Sequence, residues 1–368
     1  MSLETEDHLR SQDPELIKKL AETGATLVIL DLPVGSEFGI DMKQWEIGEK
    51  FRGIKMIPPG IHYVYYSYVN KDIVAPRTGF FHNFVEKTIL AFRWDTKEEI
   101  IVKVTDDELA CLALNLRKLD RFLGPYPFET LRQWTALSDR ISKQLIEKLE
   151  PPGGLIFSVQ QFEPAKYLPT KSGTDTRACK MPNLIEMEAT KMRFTPIPKR
   201  WHPSGSSASE VTRCSMDGSY VLDQLLKRHG GNNDLLGEIQ MAFVTFLCGQ
   251  LFEGFEQWKR LLAVICSAES CISRQQMEPL FLAIISLLHF QLKEVPSDLF
   301  MDIVSRENFL VVCLSNFFRN IAESAPPSGP LRNKANRFRV YLTRTFKWDF
   351  DQEPEEDQPQ VVELDNTP

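Results

Sequence analysis

The sequence predicts an α+β fold in which an N-terminal antiparallel β-sandwich with packed helices precedes a C-terminal all-α domain. Three observations predict it. Short β-prone runs separated by turn residues fill the first part of the chain, apolar residues recur at helical spacing from residue 105 onward, and a proline-rich stretch with little periodicity lies between the two halves. The predicted domains are 1–162 and 213–348, joined by a linker at 163–212 and followed by a disordered acidic tail at 349–368.

The N-terminal half begins with a predicted helix at 14–23, where Pro14 suits the first helical position and Gly24 suits the stop. Five strands are predicted next, each a short run of β-branched and aromatic residues: ATLVILDL at 25–32, IHYVYYSYV at 61–69, GFFHNF at 79–84, TILAFRW at 88–94 and EEIIVKV at 98–104. Short strands with turn signals between them are typical of a small antiparallel sandwich or barrel.

Two helices are predicted after the strands. Thr105 and Glu108 have the spacing of a capping box, and leucines at helical spacing continue to a stop at Gly124. A second helix is predicted over 127–149 and ends at the run PPGG, 151–154. We expect this helical pair to pack on the sheet.

The C-terminal half is predicted to be helical. Its strongest segment spans 235–265, where apolar residues surround much of the helix and favour a place at the centre of a bundle. Gly249 and Gly254 interrupt this segment and indicate either close packing or a bend. Other helices are expected, in chain order, at 220–226, 276–292, 297–304, 306–323 and 330–347.

Composition and charge limit the classes of protein to which this chain can belong. The 368 residues have a net charge of −7, and eight acidic side chains lie between Asp349 and the C-terminus without a lysine or arginine. Without those eight the rest of the chain has a net charge of +1, so the tail carries the acidity. The first residues lack the apolar segment of a signal peptide. No apolar run approaches the roughly 20 residues of a membrane span, so we expect no membrane partner.

The search for chemistry yields no catalytic residue, no cofactor site and no metal site, so the sequence predicts a protein that is not an enzyme. The six histidines have no zinc-type spacing, and neither a phosphate-binding glycine loop nor a nucleophile elbow occurs. Asp41 and Glu46 flank Trp45 and are either a catalytic carboxylate pair or loop anchors; the lack of a recognisable partner favours anchors. The seven scattered cysteines indicate reduced core thiols, with a functional thiol as the alternative.

Two charge patterns near the C-terminus each have two interpretations. Six cations and no acid lie between residues 331 and 347, which fits either a nucleic-acid-facing helix or a solvated helix face; the acidic balance of the chain favours the solvated face. The tail is either a solubilising terminus or a binding segment, because the β-prone run Val361-Val362-Glu363-Leu364 suits addition to the sheet edge of another protein.

One unbroken stretch, EFGIDMKQWEIGEKFRGIKMIPPGIHYVYYS at 37–67, has the marks of a family signature. It occurs together with LGPYP at 123–127, LGEIQMAFVTFLCGQLFEGFEQWKRLL at 236–262, EVPSDLFMDIVSRENFL at 294–310 and FKWDF at 346–350. This joint pattern resembles the Aar-two (a1–alpha2 repression) splicing factors, which assemble the U5 snRNP. The resemblance implies a β domain of the von Hippel–Lindau type followed by a helical domain of the VHS type.

The resemblance also implies a function and a set of partner-binding residues. Such factors bind the largest U5 snRNP protein, the spliceosomal scaffold, through its RNase H-like and Jab1/MPN-like domains, and they hold off premature engagement of the helicase and RNA. Their C-terminal tail joins the β-structure of those domains, so the matching positions here are Val361, Val362, Glu363 and Leu364. The expected location is cytoplasm and nucleus, and the expected free state is a monomer without direct DNA binding. The alternative is an unrelated adaptor whose VHS-like domain binds short peptides in membrane trafficking.

Overall fold

The computed structural model describes residues 14–70, 73–164, 184–295, 309–324 and 329–350. The chain divides into two compact units. We call the first the β unit, which comprises residues 1–194 together with 240–255. We call the second the helical unit, which comprises 195–239 together with 256–368.

The strands follow one another closely along the chain. They are β1 (Ala25–Leu30), β2 (Glu37–Ile40), β3 (Lys43–Glu46), β4 (Gly53–Ile57), β5 (Gly60–Ser67), β6 (Val69–Asn70), β7 (Ile73–Val74), β8 (Thr78–Phe84), β9 (Ile89–Asp95), β10 (Ile100–Lys103), β11 (Leu123–Pro125), β12 (Ile156–Phe157), β13 (Phe162–Pro164) and β14 (Leu184–Glu186). The helices before residue 150 are α1 (Pro14–Thr23), α2 (Asp106–Leu119), α3 (Leu131–Ser138) and α4 (Lys143–Leu149). The five strands predicted from composition are therefore confirmed, and the 37–67 stretch contains three further strands.

Two five-stranded sheets form the β unit. Sheet A has the order β10-β9-β1-β4-β11, and sheet B has the order β12-β8-β5-β2-β3. Every described pairing in sheet B is antiparallel, as predicted. Sheet A is mixed, because β1 runs parallel to β9 and β4 runs parallel to β11. The expectation of a wholly antiparallel N-terminal domain is wrong for sheet A, since strand composition does not report which neighbour a strand will choose.

The two sheets pack face to face around one core, which confirms the predicted sandwich. Phe80 of sheet B lies 5.0 Å from Phe92 of sheet A between ring centroids. The Tyr66 hydroxyl of sheet B accepts a hydrogen bond of 3.2 Å from the backbone N–H of Ile101 in sheet A. Alternate residues of β5 point to the other face of sheet B, where residues 240–255 cover Tyr63; a Cβ on Gly249 would lie 2.5 Å from the Tyr63 hydroxyl.

The start of β4 depends on a glycine. Gly53 has a φ of +132°, and a Cβ there would lie 2.0 Å from the carbonyl oxygen of Leu27 in β1. Because the obstructing atom belongs to the backbone of a neighbouring strand, it cannot move aside. We expect Gly53→Ala to lower the free energy of unfolding by about 1–3 kcal/mol. Denaturant unfolding checks this, with Gly48→Ala as the matched control, since Gly48 has open space around it. Equal stability of the two variants would contradict the prediction.

Two predicted helices are each broken into two. The segment 127–149 forms α3 and α4, and Ser142 caps α4 by accepting a hydrogen bond of 3.1 Å from the N–H of Leu145. The segment 235–265 forms α7 (Asn232–Leu247) and α8 (Phe252–Cys266). Gln250, with a φ of +56°, takes the left-handed position that ends α7. Periodicity alone did not reveal these breaks.

The predicted stop at Gly124 is also wrong. Thr105 caps the helix α2 by accepting from the N–H of Glu108, which is the first half of the predicted capping box, whereas the Glu108 carboxylate pairs with Arg93; the helix ends at Leu119. Gly124 lies instead in β11, which pairs with β4. Pairing with a distant strand has overridden the local helical spacing.

The helices after residue 200 are α5 (Ala208–Met216), α6 (Ser219–His229), α7, α8, α9 (Glu269–Ile272), α10 (Glu278–Glu294), α11 (Phe309–Glu323) and α12 (Gly329–Phe346). The C-terminal part is therefore helical, as predicted; the predicted helix at 297–304 lies outside the described residues. Inside the predicted linker 163–212, β14 pairs with β13 and a capping box between Ser207 and Glu210 begins α5. The domain boundaries and the likeness to the VHL and VHS types stay predictions.

Candidate functional site

The four predicted partner-binding residues, Val361, Val362, Glu363 and Leu364, lie outside the described residues, which end at Phe350. Their role therefore stays a prediction. The structure does describe the place from which the tail departs. Helix α12 ends at Phe346, and Lys347 has a left-handed φ of +62°. The Trp348 ring stacks on Phe346 at 4.8 Å, and the Phe350 ring meets Phe318 of α11 edge-on at 5.2 Å. The FKWDF motif thus anchors the base of the tail to α11 and α12.

A groove in the β unit, which we call the aromatic groove, is lined by both the 37–67 stretch and the 123–127 stretch. Its volume is about 700 Å³, and its apolar lining consists of Trp45, Ile47, Phe51, Ile54, Met56, Pro125, Tyr126, Pro127 and Phe128. An ion pair of 3.7 Å between Lys43 and Glu129 lies at this end of the unit, and Glu46 also faces the groove. Sequence reasoning did not predict the groove; the concentration of aromatic residues and prolines in both stretches was the available signal.

The aromatic groove lies where both sheets end. Strand β3 is the last strand of sheet B, and β11 is the last strand of sheet A. Trp45, Phe51 and Phe128 are only partly buried. An apolar concave surface with a few charges at its rim suits binding of apolar groups. The lining contains no cysteine, serine or histidine, so it offers no thiol, no serine hydroxyl and no imidazole base.

Asp41 is the centre of a buried polar cluster in the β unit, which we call the Asp41 cluster. It occupies the two-residue turn between β2 and β3 with a φ of +55° and no exposed surface. Its Oδ2 lies 2.6 Å from His62 Nδ1 and accepts a hydrogen bond of 2.6 Å from the Tyr126 hydroxyl. Its Oδ1 accepts from the backbone N–H of Tyr63 at 3.0 Å. One carboxylate therefore links the β2–β3 turn, strand β5 and the loop after β11.

The hydrogen bonds of His62 decide between the two interpretations of Asp41. Nε2 lies 2.9 Å from the carbonyl oxygen of Pro58, which can only accept, so Nε2 carries a proton. The other nitrogen, Nδ1, lies 2.6 Å from Asp41 Oδ2. His62 is 2% exposed, and neither ring nitrogen is available to a substrate. Asp41 is thus a structural anchor, and burial together with the Asp41 charge raises the pKa of the Tyr126 hydroxyl. Glu46 is an exposed residue apart from this cluster.

Glu238 is the centre of a second buried cluster, in the helical unit. Its Oε1 accepts from the Thr195 N–H at 2.8 Å and from Gln257 Nε2 at 2.9 Å. Its Oε2 accepts from the Thr195 hydroxyl at 2.6 Å and lies 3.4 Å from His229 Nε2. Glu238 was missed by sequence reasoning; the signal was an acid within the apolar run LLGEIQMAFV. A carboxylate held by so many donors fixes the chain and has no free oxygen for chemistry.

The cysteines of the described ranges differ in exposure: four are buried, Cys214 is half-buried and Cys111 is exposed. No three His, Cys, Asp or Glu side chains among the described residues are placed to hold a metal ion. Burial raises the pKa of the Cys248 thiol to about 12 and that of Cys313 to about 12, which makes both unreactive. Among the described helices, none has the length and apolar character needed to cross a membrane.

Comparison with known proteins relates both halves of the chain to one family. The family model described as the AAR2 N-terminal domain matches residues 23–151, and the one described as the AAR2 C-terminal repeat region matches 194–351. The protein named AAR2 homolog of Mus musculus is 42% identical over 374 residues, covering 96% of this chain and 97% of the relative. The Homo sapiens homolog is 41% identical with the same coverage, and the Caenorhabditis elegans homolog is 39% identical, covering 92% of this chain and 98% of the relative.

Proposed function

Because this chain belongs to the AAR2 family, we propose that it is a splicing factor that assists assembly of the U5 snRNP. The observation that supports the proposal is the match at 41–42% identity along 96% of the chain to proteins named AAR2 homolog. These similarities do not support the alternative, an unrelated trafficking adaptor. The proposed activity is binding without catalysis, and the fully bonded carboxylates of Asp41 and Glu238 fit a structural rather than a chemical role.

In the proposed mechanism the protein is a monomer in cytoplasm and nucleus that binds the largest U5 snRNP protein without contacting DNA or a membrane. It binds the RNase H-like and Jab1/MPN-like domains of that scaffold and thereby delays the engagement of the helicase and of RNA. Val361 to Leu364 would add a strand to the β-structure of the scaffold, with main-chain hydrogen bonds supplying affinity. Alternate side chains face the partner in an added strand, which selects Val362 and Leu364 as the apolar contacts.

Deleting 351–368 should weaken binding to a scaffold fragment that contains both domains and should leave the two folded cores intact. The folded cores end before that point, since Leu342 is the last fully buried residue of α12. Val362→Asp should weaken binding by roughly tenfold or more, or ~1.4 kcal/mol, because it places a charge on the apolar face of the added strand. Titration calorimetry at low and high salt measures both variants.

The matched control is Asn366→Asp, which adds the same charge to the tail outside the apolar run. It should change affinity only through salt-sensitive electrostatics. If Val362→Asp binds the fragment as tightly as the unchanged chain at high salt, strand addition is excluded and the tail contributes charge alone. If no U5 component co-purifies with the intact protein, the proposed function itself fails.

A further inference from the structure

A pocket of about 260 Å³ opens between α10 and α12 in the helical unit, and its walls combine apolar rings with cations. We call it the α10–α12 pocket. Phe290 of α10 is 43% exposed at this site, although it is a large aromatic residue. His289 lies 4.5 Å from Tyr341 and 6.3 Å from Phe338 between ring centroids, so aromatic rings from both helices meet there. An open apolar pocket of this kind is a place where an apolar side chain can be buried.

The charged side chains at this pocket are all cations. Lys334 and Arg337 line it, and Arg344 continues the same stripe of α12, because residues 334, 337, 341 and 344 recur at helical spacing. None of these three cations forms an ion pair with a carboxylate among the described residues. Lys334 donates to the Ser286 hydroxyl, and burial lowers the pKa of its amine.

Other cavities of the molecule differ in charge. Glu46 and Glu129 face the aromatic groove. A cavity of about 440 Å³ in the β unit is lined by two carboxylates, Glu147 and Glu150, and by two amines, Lys103 and Lys143. Of these three sites, the α10–α12 pocket alone is lined by cations without a carboxylate, so it is the one that attracts an acidic ligand. Charge therefore selects an acidic segment with apolar side chains as the natural occupant of the α10–α12 pocket.

The chain contains such a segment in its own tail. Residues 351–368 carry seven acidic side chains and no cation, and they surround the apolar residues Val361, Val362 and Leu364. We propose that this tail binds back onto the chain, with Val361–Leu364 in the α10–α12 pocket and the acidic side chains along Lys334, Arg337 and Arg344. In this state the tail is bound to the α10–α12 pocket, whereas composition alone predicts a disordered tail.

The base of the tail is placed for this return. The Phe350 ring contacts Phe318, and Phe318 also contacts Phe338, which lines the pocket, at 6.1 Å. Phe338 and Phe346 are eight residues apart on α12, roughly 12 Å along the axis at 1.5 Å per residue. The ten residues 351–360 reach up to roughly 33–36 Å when extended, so the tether has ample length.

The short tether also compensates for weak contacts. A flexible tether of this size gives an effective concentration on the order of millimolar, so even a weak site is occupied within one molecule. In the bound state Val362 and Leu364 are buried in the pocket before any partner binds the tail. A partner that takes the tail must then outcompete the pocket, and the pocket keeps an exposed β-prone segment from pairing with other chains.

Zero-length carbodiimide cross-linking of the full chain at low concentration tests the proposal, because it joins lysine amines only to carboxylates in direct contact. We expect a cross-link within one molecule from Lys334 to Glu363 or Asp365, about tenfold above any link from the tail to the exposed residues Lys18 and Lys19, because Lys334 lines the pocket and those two lysines do not. Lys334→Arg keeps the charge and should abolish the link. Uniform linking to all exposed lysines, or links only between molecules, would overturn the proposal.

Amide hydrogen exchange of 361–364 in the full chain gives a second readout. We expect exchange several-fold slower than in an unstructured peptide, and Arg337→Glu should remove that protection. Arg332→Glu is the matched control, since Arg332 lies on the opposite side of α12 and donates to the Ala322 carbonyl. Restored protection in the double variant Arg337→Glu, Glu363→Arg would identify the pairing. A different result would be that the tail exchanges as a free peptide while Arg337→Glu abolishes binding of a single-stranded RNA. In that case the cationic face of α12 binds nucleic acid and the proposal is wrong.

Discussion

Trp258→Ala should lower the free energy of unfolding by about 3–5 kcal/mol, which is the cost of removing a large aromatic side chain from a packed core. Trp258 is 2% exposed on α8. Its indole N–H donates to Gln291 Oε1 on α10 at 2.9 Å, so the substitution removes a buried hydrogen bond as well as the ring. At this burial Trp258 belongs to the core and is not a half-exposed contact for a partner.

Denaturant unfolding of the full chain measures the effect. Trp258→Phe keeps an apolar ring and loses only the hydrogen bond and part of the volume. Its free energy of unfolding should therefore lie between those of Trp258→Ala and the unchanged chain. Phe252→Ala is the matched control on the same helix, because Phe252 is 66% exposed and its loss should change stability by less than about 0.5 kcal/mol. An unfolding midpoint for Trp258→Ala equal to that of Phe252→Ala would show that the site is not part of the core.

Asp41→Ala should cost at least about 3 kcal/mol, the typical result of removing one member of a buried, hydrogen-bonded pair. The substitution leaves His62 Nδ1, the Tyr126 hydroxyl and the Tyr63 N–H without their common acceptor. It also forces an alanine into a left-handed φ of +55°. Both effects act on the turn that joins β2 to β3, so the loss should extend to the edge of sheet B.

Asp41→Asn separates the two causes. Asparagine tolerates the left-handed conformation and can still accept from the Tyr63 N–H, but it removes the carboxylate from His62. We expect Asp41→Asn to lose less stability than Asp41→Ala. It should still lose more than Glu46→Ala, which removes an exposed carboxylate of the same stretch. Thermal unfolding ranks the three. Stability for Asp41→Ala within about 0.5 kcal/mol of the unchanged chain would refute the anchoring role.

The fold could be predicted in its elements but not in their pairing. Runs such as 61–69 and 79–84 have a composition that suits a pleated surface, and β5 and β8 formed there. The parallel contact of β1 with β9 depends on residues more than sixty positions apart, which no local pattern reports. A bend after α7 was one of the two interpretations of Gly249 and Gly254, but its position was not predictable, because Gln250 rather than a glycine takes the left-handed conformation.

The candidate site was less predictable for a related reason. The aromatic groove forms only when β3 and β11, the terminal strands of different sheets, come together, and their sequences give no sign of that meeting. Asp41 and Glu238 were visible as acids among apolar neighbours, but their partners Tyr126 and Thr195 lie 85 and 43 positions away. The role of tail residues 361–364 rests on their β-prone sequence and on the resemblance, and it stays a prediction.

The discontinuity of the β unit has a consequence for synthesis on the ribosome. Residues 240–255, which cover the outer face of sheet B, are translated after the whole of 195–239. The sixty-one residues that follow Phe194 take roughly 3–12 s to make at about 5–20 residues per second. During that interval the nascent chain exposes the face of β5 that carries Tyr63 and Tyr65. We therefore expect cellular chaperones to bind this exposed face until residues 240–255 leave the exit tunnel.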